Sequence, residues 1–304
     1  MKLDLLKQLC AIHAPSGNES AMTDFLLQYI HQNKSNWKVA PVIHHGGDFQ
    51  EMIVLVFGNP TTAVFSHIDN IGFTAKYGKE LVKIGGPRIK DGYQLKGTDS
   101  QGYFEIEIED SEGQICYKGE RKIERGTDLS FVQNWREDEN YVQSCYLDNR
   151  LGNWVALKLA ETLENGIICF STYEEHGGGG AEFLAKFVYE NYKVNQALIC
   201  DITWVTEGVL HGEGVAISMR DSGVPRRKYL NRIIELAKKS NVKFQLEVES
   251  AGGSDGNAIH RTPYPFNWCF IGAPEDNVHT PNEKVHKFDI QTMLELYQFL
   301  MKEL

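Results

Sequence analysis

Two adjacent carboxylates, Glu174 and Glu175, close the apolar run "GIICFSTYEE" and are followed by four glycines, 177–180. An acid pair at such a point is commonly a solvated strand end. It is also what general acid–base chemistry or metal ligation requires. Other runs end the same way: "TAVFSHID" on His67 and Asp69, "YVQSCYLD" on Asp148, "QALICD" on Asp201. The segment after "FNWCFIG" delivers His279 within "APEDNVHTP". Singly, each has an ordinary alternative. An H-x-D arises by chance, Asp148 could cap a helix, and an isolated Asp201 or His279 is usually a loop residue. Together they fall beyond the carboxyl ends of strands, where open α/β sheets bind ligands. Clustered carboxylates repel one another unless a cation lies between them. Two histidines and three carboxylates suit a pair of divalent ions, Zn²⁺ first and Co²⁺ or Mn²⁺ next. One carboxylate would bridge ions about 3.5–4 Å apart. Asp69 can take the second N–H of His67 and fix its tautomer. One glutamate of the pair is then free to act as general base.

The elements that must position these groups follow from periodicity. Two helices open the chain, the second with a capping-box start, Ser16-Gly17-Asn18-Glu19. "MIVLVFG" (52–58) and "TAVFSH" (62–67) read as buried strands. From 149 onward strands and helices alternate, which indicates an α/β domain around a largely parallel sheet. Residues 70–142 differ. "GKELVKIGG", "DGYQLKG", "GYFEIEIED" and "GQICYKGE" are short alternating segments between Gly, Asp and Ser turns, the pattern of a small antiparallel sheet or barrel. The stretch "WREDENY" (135–141) reads as a solvated connector. The expected organisation is one α/β domain, 1–69 and 143–304, interrupted by a β module at 70–142.

Composition narrows the function. A net charge of −10 over 304 residues argues against nucleic-acid binding, which needs a basic face. No apolar run approaches the roughly 18–20 residues of a membrane helix. The first residues lack a secretory cleavage pattern, so a cytoplasmic location without membrane contact is expected. The six cysteines lie far apart with no C-x-x-C pair, so any metal must be held by nitrogen and oxygen.

The segments "PSGNE", "SHIDNIGF", "LDNRLG", "EEHGGGGA", "CDITW", "GEGVAIS" and "VHTP" stand in an order and spacing that resembles the dinuclear metallo-aminopeptidases of metallopeptidase family 42, the family of glutamyl, deblocking and tetrahedral aminopeptidases. The resemblance covers nearly the whole chain. It implies a phosphorylase/hydrolase-like three-layer α/β domain, with a mostly parallel central sheet and an inserted antiparallel β-barrel. Residue by residue, it implies that Asp148 bridges two ions, that His67 and Asp201 complete one site, and that Glu175 and His279 complete the other. Glu174 would be the general base and Asp69 the orienting residue. The Asp148–Asn149 peptide is expected to be cis. The implied substrates are peptides with a free N-terminus, and the implied assembly is a dimer-based homo-oligomer, up to a dodecamer.

The pattern is departed from at Asn70 and Asn149, where acids are usual, and at Gly178 and Gly179, where bulkier residues are usual. The chain is also short for the family. "ESAGGSDGNAIH" resembles the loop before the last strand, so Gly252, Gly253, Ser254 and Asp255 are candidates to line the substrate cleft; a glycine turn capped by Ser254 is the alternative. Two other enzyme readings share the acids: a dinuclear carboxypeptidase and an N-acyl amino-acid deacylase. A non-catalytic metal-bound scaffold would not need Glu174.

Overall fold

The buried strands are apolar on both faces, which requires helices on both sides of their sheet. The computed structural model describes residues 2–111 and 113–304. The chain opens with α1 (Asp4–Ala11) and α2 (Ser20–Asn33), then β1 (Val42–His45), β2 (Ile53–Phe57) and β3 (Ala63–His67). Six strands follow: β4 (Gly72–Ala75), β5 (Leu81–Ile84), β6 (Gln94–Asp99), β7 (Gly102–Ser111), β8 (Gln114–Tyr117) and β9 (Asp128–Phe131). After β10 (Arg136–Glu137) and β11 (Tyr141–Ser144) come α3 (Leu147–Ala160), β12 (Gly166–Ser171), α4 (Gly180–Tyr192), β13 (Gln196–Trp204) and β14 (Val215–Arg220). The chain closes with α5 (Arg227–Ser240), β15 (Phe244–Val248), α6 (Asp255–His260), β16 (Asn267–Asp276), β17 (Glu283–His286) and α7 (Lys287–Glu303).

The large sheet runs β1-β2-β12-β3-β13-β16-β17-β11-β10, with β14 and β15 branching from β16. Its centre, β12-β3-β13-β16, is parallel. Most of its outer pairings are antiparallel, so the sheet is mixed and its parallel character is confined to the middle and the β14–β15 pair. Alternation sorts the side chains. Leu198, Cys200 and Ile202 of β13 enter one core with α3, α5 and α7. Ala197 and Ile199 enter the other with α4. Each fully buried Leu, Ile or Phe contributes about 1.5–3 kcal/mol, which sets the three layers.

Strands β4–β9 form a separate antiparallel sheet, β5-β4-β9-β6-β7-β8, around Phe73, Leu95, Leu129 and Phe131. A bridge between Glu80 and Cys116 brings its two ends together, so the sheet is nearly a closed barrel. Among the described residues, no helix is long and apolar enough to cross a membrane.

Two local readings differ from expectation. The segment 135–141 is no simple connector: β10 lies within it and pairs with β11 at the edge of the large sheet. Ser16 does not cap α2, which begins at Ser20. Its hydroxyl donates instead to Asp69 Oδ2 at 2.6 Å, while Glu19 Oε1 accepts from the Gly17 N–H. A serine three residues before a glutamate suits either use, and the nearby carboxylate wins.

Candidate active site

His67 is the last residue of β3, and β12 ends in register beside it at Ser171. Asp201 is not at a strand end, because β13 continues to Trp204. The β3–β13 pairing stops at Phe65 and Ile199, two residues before His67 and Asp201, so both lie just past the last paired residues of the two strands. Asp148 enters from the start of α3. Tyr146 is left-handed there, Asp148 has non-helical angles, and the Asp148–Asn149 peptide is cis. Glu174 and Glu175 follow β12, and His279 lies in the β16–β17 connection.

Asp148 stands between the two histidines. Its Oδ1 is 3.3 Å from His67 Nε2, and its Oδ2 is 3.4 Å from His279 Nε2. Asp201 Oδ2 lies 3.5 Å from His67 Nε2, and Glu175 Oε2 lies 3.2 Å from His279 Nε2. Two three-residue clusters result, His67–Asp148–Asp201 and Asp148–Glu175–His279, with Asp148 in both. Glu174 belongs to neither and stands 4.0 Å from His67 Nε2.

Surrounding contacts fix these side chains. His67 Nδ1 faces the Asp69 main-chain oxygen at 3.2 Å and Asp69 Oδ1 at 3.4 Å, which turns Nε2 toward the cluster. Asp69 also accepts from the main-chain N–H groups of Glu174 and Glu175. Glu283, fully buried, accepts from the N–H of His279 and the N–H of Asp148. No motif marks Glu283 in the sequence. His279 Nδ1 lies 3.1 Å from the Gly86 carbonyl, and its own carbonyl accepts from the Arg88 N–H. Both partners sit between β5 and β6.

Of the departures from the expected pattern, the two asparagines make hydrogen bonds that hold neighbouring main chain and Arg150. Asn149 donates to the Cys200 carbonyl, and its Oδ1 accepts from the Gly152 N–H. Asn70 Oδ1 accepts from the buried Arg150 guanidinium and from the Ala14 N–H. Of the loop candidates, Gly252 and Gly253 line the cleft. Ser254 caps α6 by accepting from the Gly256 N–H, and Asp255 is buried behind it, accepting from the Ser171 hydroxyl. Neither stands on the cleft wall. His176 also turns aside, its Nδ1 accepting from the Gly85 N–H.

The electrostatics show a shortage of positive charge. Burial pushes Glu174 well above the usual carboxylate range, and burial with Asp148 beside it pushes Glu175 to about 7. Burial lifts Asp201 to about 6. Burial alone would lower both histidines, but the surrounding carboxylates outweigh it: His67 is raised, and His279 reaches about 12. Among the described residues no lysine or arginine lines the cleft, and Glu175 Oε1 is buried without a hydrogen-bond partner. Five oxygen and imidazole donors in two clusters fit divalent cations.

The fold is that of the tetrahedral aminopeptidases. Aminopeptidase APDkam598 from the archaeon Desulfurococcus kamchatkensis superimposes with a TM-score of 0.86 at 21% identity, over 99% of this chain and 94% of that one. The TET1 peptidase of Pyrococcus horikoshii, which can assemble into a tetrahedron or a large octahedral shell, gives 0.82 at 20% identity over 99% of each chain. A protein of Acetivibrio thermocellus, provisionally assigned as an aminopeptidase, is 28% identical over 324 aligned positions and 96% of each chain. The family model for M42 glutamyl aminopeptidase matches residues 109–296. The chain belongs to that family and is an aminopeptidase, a hydrolase of peptides.

Proposed function

We propose that this chain removes N-terminal residues from peptides with a pair of divalent ions and a glutamate base. His67, Asp148 and Asp201 would hold one ion, and Asp148, Glu175 and His279 the other. The observation that carries this is Asp148, whose two oxygens face the two histidines at 3.3 and 3.4 Å. Ions held there, zinc foremost and cobalt or manganese next, would polarise the scissile carbonyl and acidify the attacking water. Glu174, 4.0 Å from His67 Nε2 and in neither cluster, would take that water's proton and return it to the leaving amine. Asp69 holds the His67 ring in one tautomer and, through two N–H groups, holds the main chain of the glutamate pair. Glu283 ties Asp148 to His279 from behind. A substrate ammonium would pair with a cleft carboxylate. The family relation also supports self-association, which light scattering on the purified chain would measure.

The test is turnover of unblocked and N-acetylated amino-acid amides, then peptides, with Zn²⁺, Co²⁺ or Mn²⁺ added. Unblocked substrates should be cleaved and acetylated ones spared. Comparable turnover of both would point to a deacylase or an endopeptidase instead.

A further inference from the structure

The cleft beside the two clusters has a volume of about 220 Å³ and holds more acid than the reaction uses. Asp221, just past β14, Glu247 on β15 and Glu249, just past β15, line it together with the cluster residues. Asp221 is 8% exposed and Glu247 3%. Burying carboxylates without a cation is costly, yet among the described residues none of the three forms an ion pair. Arg220, next in sequence to Asp221, donates its Nε to the Asp221 main-chain carbonyl instead. Glu247 Oε1 accepts from the Thr203 hydroxyl. The Ser218 hydroxyl, in register with Glu247 and 1% exposed, has no hydrogen-bond partner. This part of the cleft is thus a polar wall built into two paired strands.

Its shape selects among cations. The three carboxylates do not gather into a cluster that could hold a metal ion, unlike the two clusters around Asp148. Ile202, Trp204 and Phe270 line the same cleft. A cleft lined by both apolar side chains and spread carboxylates matches a side chain with a hydrocarbon stem and a charged tip. We propose that Asp221, Glu247 and Glu249 form the pocket for the substrate's N-terminal side chain and select lysine and arginine. The proposal rests on the aminopeptidase reading above. It departs from the family's descriptive name, because a glutamyl side chain would meet three like charges here.

The experiment measures kcat/KM of the metal-loaded enzyme on unblocked lysine, arginine, norleucine, leucine and glutamate amides. All carry the same α-amine, so their ratios isolate the side chain. Lysine or arginine should exceed norleucine, a neutral chain of similar length, by tenfold or more, with glutamate the poorest. Glu247→Gln and Asp221→Asn should each shrink the lysine-to-norleucine ratio at least threefold. The wild-type ratios decide the matter even if a variant fails to fold. Norleucine or leucine turned over as well as lysine would overturn the proposal while leaving the aminopeptidase reading standing. Absence of turnover on every unblocked amide, with both ions bound, would overturn that reading and this proposal with it.

Discussion

The main-chain N–H of Glu175 donates to Asp69 Oδ2 at 3.1 Å. The neighbouring Glu174 N–H reaches Oδ1 of the same carboxylate at 3.2 Å, and Ser16 supplies a third donor. Asp69 therefore sets the His67 ring and the glutamate turn together. Asp69→Asn keeps the size but places an amide donor among donors. We expect kcat to fall about 10–100-fold, as for other partners of metal-ligating histidines. Steady-state kinetics on an unblocked amide would measure this; a change below about twofold would count against the orienting role.

The two glutamates should separate cleanly. Glu174→Gln is expected to retain both ions and substrate affinity while kcat falls by roughly 10²–10⁴-fold, since an amide cannot accept the proton. Glu175→Gln should lower the occupancy of one ion site, with partial rescue by excess metal. Metal content measured beside kcat checks both. Loss of metal from Glu174→Gln with both ions kept in Glu175→Gln would reverse the two roles.

Metal analysis of active enzyme is expected to give two ions per chain, and chelation should abolish turnover until Zn²⁺, Co²⁺ or Mn²⁺ is restored. Ions that bind only the folded chain stabilise it by about 2.7 kcal/mol at a hundredfold excess over Kd. Tm should therefore rise on metal addition. The ligands must shed protons to bind, so affinity should weaken as pH falls. One ion or none in fully active enzyme would exclude the two-ion mechanism.

Glu19 gives a pH dependence of opposite sense to that of a paired carboxylate. It is 1% exposed, and burial, with Asp69 nearby, pushes it from 4.5 to about 7. Between these values the folded chain binds more protons than the unfolded one, so this group's contribution to stability declines as pH rises from 4.5 to about 7. Glu19→Gln keeps an acceptor for the Gly17 N–H and removes the charge. At about pH 8 the variant should be more stable than the parent by on the order of 1–3 kcal/mol, with little difference at about pH 4. Thermal melts across this range would check it, and parallel Tm curves for the two proteins would contradict it.

Much of this site is legible in the chain because its acids and imidazoles follow apolar runs that can only be buried strands. The β module announces itself by short alternation between glycine turns. Other features depend on pairing, which no local pattern encodes. Glu283 lies in "NEKVH", whose alternation suits an ordinary edge strand, and only the β16–β17 return places it under Asp148. The acid wall forms because β14 and β15 pair in the register that sets Ser218 beside Glu247. Asp201 reads as a strand terminus, yet β13 runs on to Trp204, and the parting of β3 from β13 after Phe65 and Ile199 is what leaves Asp201 unpaired on that side. Ser16 shows a limit of another kind, since one spacing suits a helix cap and a carboxylate partner equally.

The bond from His279 to the Gly86 carbonyl makes the inserted sheet a tenant with duties. A module that merely decorated the α/β core could be trimmed, exchanged or lost by lineages and engineers alike. Here the connection between β5 and β6 orients an imidazole carried by a loop that joins two strands of the other sheet. The two parts are therefore bound to change in concert: a graft that swapped the small sheet for a stable surrogate would fold and still leave His279 free to swing.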